Sequence, residues 1–150
     1  MSDHIIRNAY AADAEAVAAC QRESFSFPLS ENDIASFTVD PIFRVRVIEE
    51  DGQIAGHSVF TVIGPDCELL SVAVSSQFRR KGYGEALVRD VLRIAKKEGC
   101  LSVLLEVRVS NSKAQNLYNK VGFEPIAQRK DFYERPREDA ITMLAVIEQE

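Results

Sequence analysis

The sequence predicts an α/β protein in which one mixed β-sheet is flanked by helices. Residues 69–74 and 101–107 are apolar runs typical of buried strands, and a helical pattern at 84–98 separates them. A helix between two strands makes a crossover, so these strands should be parallel. Asp51-Gly52 lies between two alternating segments and is a strong hairpin signal, which predicts antiparallel strands earlier in the chain.

Local signals place the other elements. In chain order they are a strand at 4–9, a helix at 14–21, a short helix after Ser30, strands at 43–47 and 54–63, a helix at 112–121, and strands at 126–133 and 140–147. Asp13 is the expected N-cap of the first helix. Ser30-x-x-Asp33 is a capping signature for the short helix. Gly99 and Gly122 are expected to end the last two helices.

Length and composition indicate one ordinary domain, residues 1–150, without a metal or disulfide staple. A chain of this size can bury roughly 68–70% of its unfolded surface. The net charge of −5 argues against general nucleic-acid binding. Cys20, Cys67 and Cys100 are widely spaced, and no C-x-x-C occurs, so neither a zinc site nor a disulfide framework is indicated. His4 and His57 are isolated and are expected to be structural or surface residues.

The sequence contains no signal peptide and no apolar run long enough to span a membrane. We therefore expect a protein of the reducing cytoplasm that has no membrane partner and acts as a monomer or a dimer.

A basic, glycine-bearing turn follows the strand at 69–74 and opens the helix at 84–98. It reads Arg79-Arg80-Lys81-Gly82-Tyr83-Gly84. Backbone N–H groups at a helix start have no helical acceptor, and the helix dipole adds partial positive charge, so such a turn suits a phosphate. A solvated basic turn with glycines for geometry is the alternative, and the turn matches neither a Walker loop nor G-x-G-x-x-G.

Glu106 interrupts the apolar strand at 101–107. A buried carboxylate is costly unless it is paired or takes part in chemistry. One interpretation is that Glu106 ends the strand at the surface and pairs with Arg108. The other is a general base at the C-terminal end of the strand, where open α/β sheets keep their ligand sites.

Asn111, Tyr118 and the link between the first two helices have structural and functional interpretations. Asn111 is a reasonable N-cap for the helix at 112–121. Tyr118 is by default a core aromatic, but its phenol, with a reference pKa of about 10, could protonate a thiolate leaving group. Phe27 and Leu29 either pack under a loop or form a wall of a substrate groove.

These motifs together resemble one family. The register Arg79-x-x-Gly82-x-Gly84 after an apolar strand resembles the acetyl-coenzyme A (acetyl-CoA) pyrophosphate loop of the GNAT acetyltransferases, Gln/Arg-x-x-Gly-x-Gly/Ala. LEVRVSNSKAQNLYNKVGF, residues 105–123, is similar to the second signature of GNAT N-acetyltransferases of the RimI type. Residues 27–31, 129–133 and 137–143 resemble the same type. The resemblance implies the GNAT fold, a central mixed sheet flanked by helices.

The resemblance also implies roles for the matching residues. Glu106 would be the proton acceptor and Tyr118 the proton donor. Phe27, Leu29 and Tyr133 would contact the acceptor substrate. The residues implied in binding acetyl-CoA are Val72, Ala73 and Val74 for the pantetheine arm, Arg79, Arg80, Lys81, Gly82, Tyr83, Gly84 and Glu85 for the pyrophosphate, and Asn111.

The predicted function is transfer of acetyl from acetyl-CoA to the N-terminal α-amino group of a protein, by direct transfer in a ternary complex and without a metal. Enzymes of the RimI type acetylate the N-terminal alanine of a small-subunit ribosomal protein, so the resemblance implies a ribosomal-protein partner. A lysine side chain, a polyamine or an aminoglycoside is an alternative acceptor. A non-catalytic CoA-binding module is the alternative from another class, although it would need neither Glu106 nor Tyr118.

Overall fold

The computed structural model of the chain describes residues 3–149. Its strands are β1 (His4–Asn8), β2 (Phe43–Glu50), β3 (Gln53–Ile63), β4 (Asp66–Val74), β5 (Ser102–Arg108), β6 (Glu124–Tyr133) and β7 (Glu138–Val146). Its helices are α1 (Ala14–Ser24), α2 (Glu31–Phe37), α3 (Tyr83–Lys97) and α4 (Ser112–Lys120). Every strand and helix predicted from the sequence is therefore present, with bounds that differ by a few residues.

All of these strands join one mixed sheet in the order β1-β2-β3-β4-β5-β7-β6. β4 and β5 are parallel, as the crossover through α3 predicts, and the other neighbouring pairs are antiparallel. The last strand, β7, lies between β5 and β6. The predicted fold class is confirmed.

Helices cover both faces of the sheet. On one face, α1 and α2 pack against β2 and β3 through a cluster that includes Val17, Ile34 and Val47. On the other face, α3 packs against the centre of the sheet through a cluster that includes Val91 and Leu105, and α4 packs at its margin. Full burial of one aliphatic side chain of this size contributes about 1.5–3 kcal/mol, so these two clusters hold the layers together.

A buried ion pair fastens α3 to β2. Arg46 donates through Nε and Nη2 to the two carboxylate oxygens of Asp90, both at 2.9 Å. Its Nη1 also donates to Asn8 Oδ1 at 2.9 Å. Arg46 and Asp90 are only 8% and 6% exposed. The middle of α3 is therefore tied to the sheet, which positions the helix that follows the basic turn.

The local signals were mostly right. Asp51 and Gly52 both adopt positive φ, 50° and 79°, as a tight hairpin turn requires. Ser30 and Asp33 form the predicted capping box. Asp13 does occupy the N-cap position of α1, but its side chain makes no capping hydrogen bond there. Its carboxylate instead accepts from Arg7 at 2.8 Å and from the Tyr10 N–H at 2.7 Å.

The cysteines and histidines occupy structural positions. Cys20, Cys67 and Cys100 are buried free thiols. His57 is fully buried on β3, and its burial lowers its pKa to about 4. The ring of His4 packs on Tyr83 with 5.0 Å between the ring centroids. None of the helices in residues 3–149 is long and apolar enough to cross a membrane.

Candidate active site

The sheet splits between β4 and β5. Their parallel pairing runs from Asp66 opposite Ser102 to Leu69 opposite Leu105 and then stops. Beyond that point β4 continues to Val74 paired only with β3, and β5 continues to Arg108 paired only with β7. The two strand ends therefore diverge and leave a cleft, and among residues 3–149 no strand pairs with the edge of β4 along this cleft.

The predicted pantetheine-binding residues lie on this unpartnered edge of β4. Ala73 is buried, and Val72 and Val74 are half-buried. Gly56 of β3 allows the end of β4 to come close, since a Cβ there would lie 2.6 Å from the Ala73 carbonyl oxygen. Peptide groups on such an edge can hydrogen-bond an extended ligand in the way that another strand would.

The basic turn ends at the N-terminus of α3. The first helical hydrogen bond runs from the Ala86 N–H to the Gly82 oxygen at 3.0 Å, so the N–H groups of Tyr83, Gly84 and Glu85 precede the helical ladder. Gly82 caps the helix at φ 79°, a conformation that favours glycine. Arg80, at φ 66°, also adopts the left-handed region and is exposed. This arrangement can cradle an anion with backbone donors and one mobile guanidinium.

Two other side chains of the turn point back into the protein. Lys81 Nζ donates to Glu50 Oε1 at 2.9 Å, and the Tyr83 hydroxyl donates to the same oxygen. Glu50 lies at the end of β2 and is 6% exposed. The hydrogen bond to Glu50 raises the pKa of Tyr83 to about 12. The side chains of Lys81 and Tyr83 therefore anchor the turn to Glu50. A phosphate would contact these two residues mainly through their backbone N–H groups.

Arg79 lies between the turn and the β4 edge. Its Nε donates to the Val74 oxygen at 3.2 Å, and its Nη2 lies 3.6 Å from Glu23 Oε1 on α1. The same Glu23 oxygen accepts from the Ser76 N–H at 2.5 Å. The guanidinium is half-exposed, so it can move between these partners and an anion at the start of α3.

Glu85 and Gly84 lie on the first turn of α3, next to α4. Glu85 pairs with Arg89 at 3.0 Å and with Lys120 at 2.8 Å, and these hydrogen bonds lower its pKa. A Cβ on Gly84 would meet only Leu117 Cδ2 at 3.7 Å, an ordinary contact. Packing within the chain therefore does not require glycine at 84, whereas close approach of a ligand to the backbone would.

Glu106 is the first residue of β5 beyond the parallel pairing, at the point where the cleft opens. Its side chain is 12% exposed. Thr142 Oγ1 donates to Glu106 Oε2 at 2.5 Å, and Arg129 Nη1 lies 3.4 Å from Oε1. The pairing with Arg108, one of the two interpretations of Glu106, is not formed, because Arg108 binds Glu138 at 3.2 Å and the Pro136 oxygen at 2.9 Å.

Tyr133 lies within electrostatic range of both Tyr118 and Glu106. Burial, and secondarily the nearby Tyr133, raises the pKa of Tyr118 to about 12. Burial and the Glu106 carboxylate raise the pKa of Tyr133. Tyr118 also packs on Phe123 with ring centroids 5.7 Å apart, so the interpretation of Tyr118 as a core aromatic is confirmed. A neutral phenol of this kind remains a proton donor at physiological pH.

Asn111 is the N-cap of α4. Its Oδ1 accepts from the Ala114 N–H at 3.1 Å. The capping interpretation is confirmed, and a role in cofactor binding would have to use the rest of this exposed side chain.

Phe27 and Leu29 have different environments. Leu29 packs against the cluster under α1 and α2, and its N–H donates to Gln21 Oε1 at 3.1 Å. Phe27 is 56% exposed, and the Arg135 guanidinium lies 4.9 Å from its ring centroid. Ser26 donates to the Arg135 oxygen at 3.0 Å, so the link between α1 and α2 touches the turn between β6 and β7. The Arg108 guanidinium lies over the Tyr133 ring, with its central carbon 4.5 Å from the ring centroid.

Glu23, Glu50, Arg129 and Thr142 are among the residues that contact predicted site residues but were not themselves predicted as site residues. Glu50 ends an alternating strand with two successive carboxylates, Glu49-Glu50, which is a weak signal for an inward charge. The others carry no local signal, since their partners are distant in sequence.

Comparison with known proteins identifies the class to which this fold and cleft belong. The model of the acetyltransferase (GNAT) family matches residues 10–123. A Bacillus subtilis (strain 168) protein is 31% identical over 145 residues, covering 96% of each chain. The [ribosomal protein bS18]-alanine N-acetyltransferase of Escherichia coli (strain K12) is 30% identical over 125 residues, covering 82% of this chain and 84% of its own.

A solved structure of a relative has the same fold. The crystal structure of the ribosomal-protein-S18-alanine N-acetyltransferase from Escherichia coli superposes with a TM-score of 0.90 at 28% identity, covering 99% of this chain and 96% of its own. The chain belongs to the GNAT acetyltransferase family. It is an acetyl-CoA-dependent N-acetyltransferase, and the resemblance to the RimI type is confirmed. Within residues 3–149, no group of three or more His, Cys, Asp or Glu is placed to hold a metal ion.

Proposed function

We propose that this chain acetylates the α-amino group of a protein N-terminus, with Glu106 as general base and Tyr118 as general acid. The observation that carries the proposal is the position of Glu106 at the point where β4 and β5 separate. A carboxylate there lies beside the cleft in which the β4 edge and the start of α3 can hold acetyl-CoA. The favoured acceptor is an N-terminal alanine of a small-subunit ribosomal protein, since the Escherichia coli relative is named for alanine of bS18.

Different residues along the cleft bind acetyl-CoA and transfer protons. The backbone of Val72, Ala73 and Val74 binds the pantetheine arm, and the basic turn binds the pyrophosphate. An α-ammonium has a reference pKa of about 7.7–8.0, so a carboxylate can accept its proton at neutral pH, directly or through a water. Glu106 accepts that proton, and the neutral amine attacks the thioester carbonyl. A backbone N–H near Val74 stabilises the oxyanion. As the C–S bond breaks, Tyr118 gives its proton to the departing thiolate. The new amide nitrogen gives its remaining extra proton to the Tyr118 phenolate, directly or through a water, and Glu106 returns its proton to solvent.

The cysteines favour direct transfer over an acetyl-enzyme intermediate. Burial raises the pKa of Cys20, and it raises that of Cys67 to about 12. A thiol that stays protonated is a poor nucleophile. Neither these cysteines nor Cys100 falls in the basic turn or between Glu106 and Tyr118.

A lysine side chain remains the main alternative acceptor. Its ammonium has a reference pKa of about 10.4, so the same base would find far less neutral amine at pH 7. The acidic net charge of −5 suits a basic ribosomal protein but equally suits a polyamine. The choice among acceptors therefore has to be made by experiment.

The test is CoA release by the purified protein with acetyl-CoA and a matched set of peptides. The peptides differ only in residue one (Ala, Ser, Gly, Met or Glu), with an N-terminally blocked, lysine-containing control, and mass spectrometry locates the acetyl group. We expect turnover only of free N-termini, fastest with Ala. Acetylation of the blocked peptide on lysine, or no turnover of any free N-terminus, would contradict the proposal.

A further inference from the structure

The two oxygens of Glu106 are held in unequal ways. Oε2 accepts a 2.5 Å hydrogen bond from Thr142, which is 6% exposed and lies directly opposite Glu106 on β7. This partner cannot leave without disturbing the sheet. Oε1 faces Arg129 Nη1 at 3.4 Å, near the long limit for a hydrogen bond. Thr142 therefore fixes the carboxylate, and Oε1 is the oxygen available to another partner.

Arg129 is held loosely. Its side chain is 57% exposed, and its other described contact is with the face of Phe132, 4.5 Å from the ring centroid. Exposed ion pairs and cation–π contacts are individually weak. The guanidinium can therefore leave Glu106 for solvent at little cost while it stays over Phe132.

Arg129 reaches Glu106 from β6, across β7, and lies beside the carboxylate oxygen that Thr142 does not hold. The carboxylate is 12% exposed, and Arg129 is the cation beside its less tightly held oxygen. An amine that gives its proton to Glu106 arrives as an ammonium, which needs the same kind of contact with a carboxylate oxygen. The guanidinium and the substrate ammonium are thus chemically equivalent partners of Oε1.

We propose that Arg129 is a displaceable placeholder for the acceptor amine. In the free enzyme its guanidinium neutralises the nearly buried carboxylate, and the incoming ammonium takes its place on Oε1. The inference rests on the proposed role of Glu106 and adds the residue that the acceptor must displace. Arg129 opposes binding of the acceptor and does not take part in proton transfer.

The experiment measures peptide affinity without turnover. A fluorescently labelled peptide that begins with alanine is titrated into protein saturated with CoA, and anisotropy gives Kd. The proteins are the unaltered chain, Arg129→Gln, Glu106→Gln and the double variant. Lys130→Gln is the matched control, because it removes the same charge one residue along β6 from an exposed side chain without a described contact with Glu106. Steady-state kinetics on the same proteins give KM for peptide and acetyl-CoA.

Arg129→Gln should tighten peptide binding by roughly two- to fivefold, the fold-change that corresponds to an exposed ion pair. The KM for acetyl-CoA should not change, and Lys130→Gln should not tighten binding. In the Glu106→Gln background, Arg129→Gln should no longer tighten binding, because its effect acts through the carboxylate.

Weaker or unchanged peptide binding by Arg129→Gln would overturn the proposal, as would equal tightening by Lys130→Gln or an undiminished effect in the Glu106→Gln background. Failure of the proposed function gives a different pattern, since it would appear as full turnover by Glu106→Gln or as no turnover of any peptide by the unaltered protein.

Discussion

Replacing Asp90 by alanine breaks the buried ion pair that fastens α3 to β2. The change leaves the Arg46 guanidinium, which makes two 2.9 Å bonds to Asp90, without its counter-ion in a site where its own side chain is 10% exposed. Removing one partner of a buried pair costs about 3–5 kcal/mol of unfolding free energy. For a domain of this size, that corresponds to a fall in Tm of roughly 6–20 °C.

Urea unfolding at pH 7, followed by circular dichroism, measures this loss. A double variant, Asp90→Leu with Arg46→Met, replaces both charges by apolar side chains of similar volume and should recover most of the lost stability. A loss below about 1 kcal/mol in Asp90→Ala would refute the reasoning. So would a double variant as unstable as the sum of its single variants, since it would show that no unpaired charge causes the loss.

Two further predictions concern the cofactor cleft and the acid. Gly84→Ala should leave the urea midpoint nearly unchanged, because its Cβ meets only Leu117 at 3.7 Å, but it should raise the KM for acetyl-CoA because the methyl group stands in the way of a phosphate. An unchanged KM would show that the pyrophosphate does not approach this backbone. Tyr118→Phe should lower kcat by about 10²–10⁴-fold without changing the KM for acetyl-CoA. In the unaltered protein the pKa of Tyr118 is about 12, so this group stays protonated and kcat should show no loss from it between about pH 7 and 10. A basic limb in that range that disappears in Tyr118→Phe would contradict this assignment.

The sequence predicts most of this fold because its local signals agree with the tertiary arrangement. Asp51-Gly52 specifies a tight turn whatever surrounds it, and both residues adopt positive φ. The crossover from 69–74 to 101–107 through α3 makes the two strands parallel by connectivity alone. Asp13 shows the limit of such reasoning, since Arg7 competes successfully for the expected capping carboxylate.

The separation of β4 from β5 could not be predicted from hydrophobic periodicity, because each of the two segments has the pattern of an uninterrupted strand. A bulge at Leu70 and the end of parallel pairing at Leu69 separate them, and both features depend on which strand lies next to which. The same holds for the insertion of β7 beside β5. Hydrophobic periodicity identifies a strand and its buried face but does not identify its neighbour.

The surroundings of Glu106 were likewise beyond the sequence. Arg108, the partner in one interpretation of Glu106, lies only two residues along the chain. The actual partners, Arg129 and Thr142, lie 23 and 36 residues away in sequence and come together only through the order of β5, β7 and β6. The resemblance to the family implied a role for this carboxylate, and the structure shows which residues hold it.

We propose Glu106, at the point where β4 and β5 separate, as the base for the acceptor amine. The most direct test is Glu106→Gln, with kcat measured on the best peptide and the acetyl-CoA dissociation constant measured by calorimetry. Glu124→Gln is the matched control, because it removes an exposed carboxylate from β6. If Glu106 is the base, kcat should fall by about 10²–10⁴-fold in Glu106→Gln, with acetyl-CoA affinity unchanged. Glu124→Gln should keep its kcat. Full activity in Glu106→Gln, or the same loss in Glu124→Gln, would contradict this proposal.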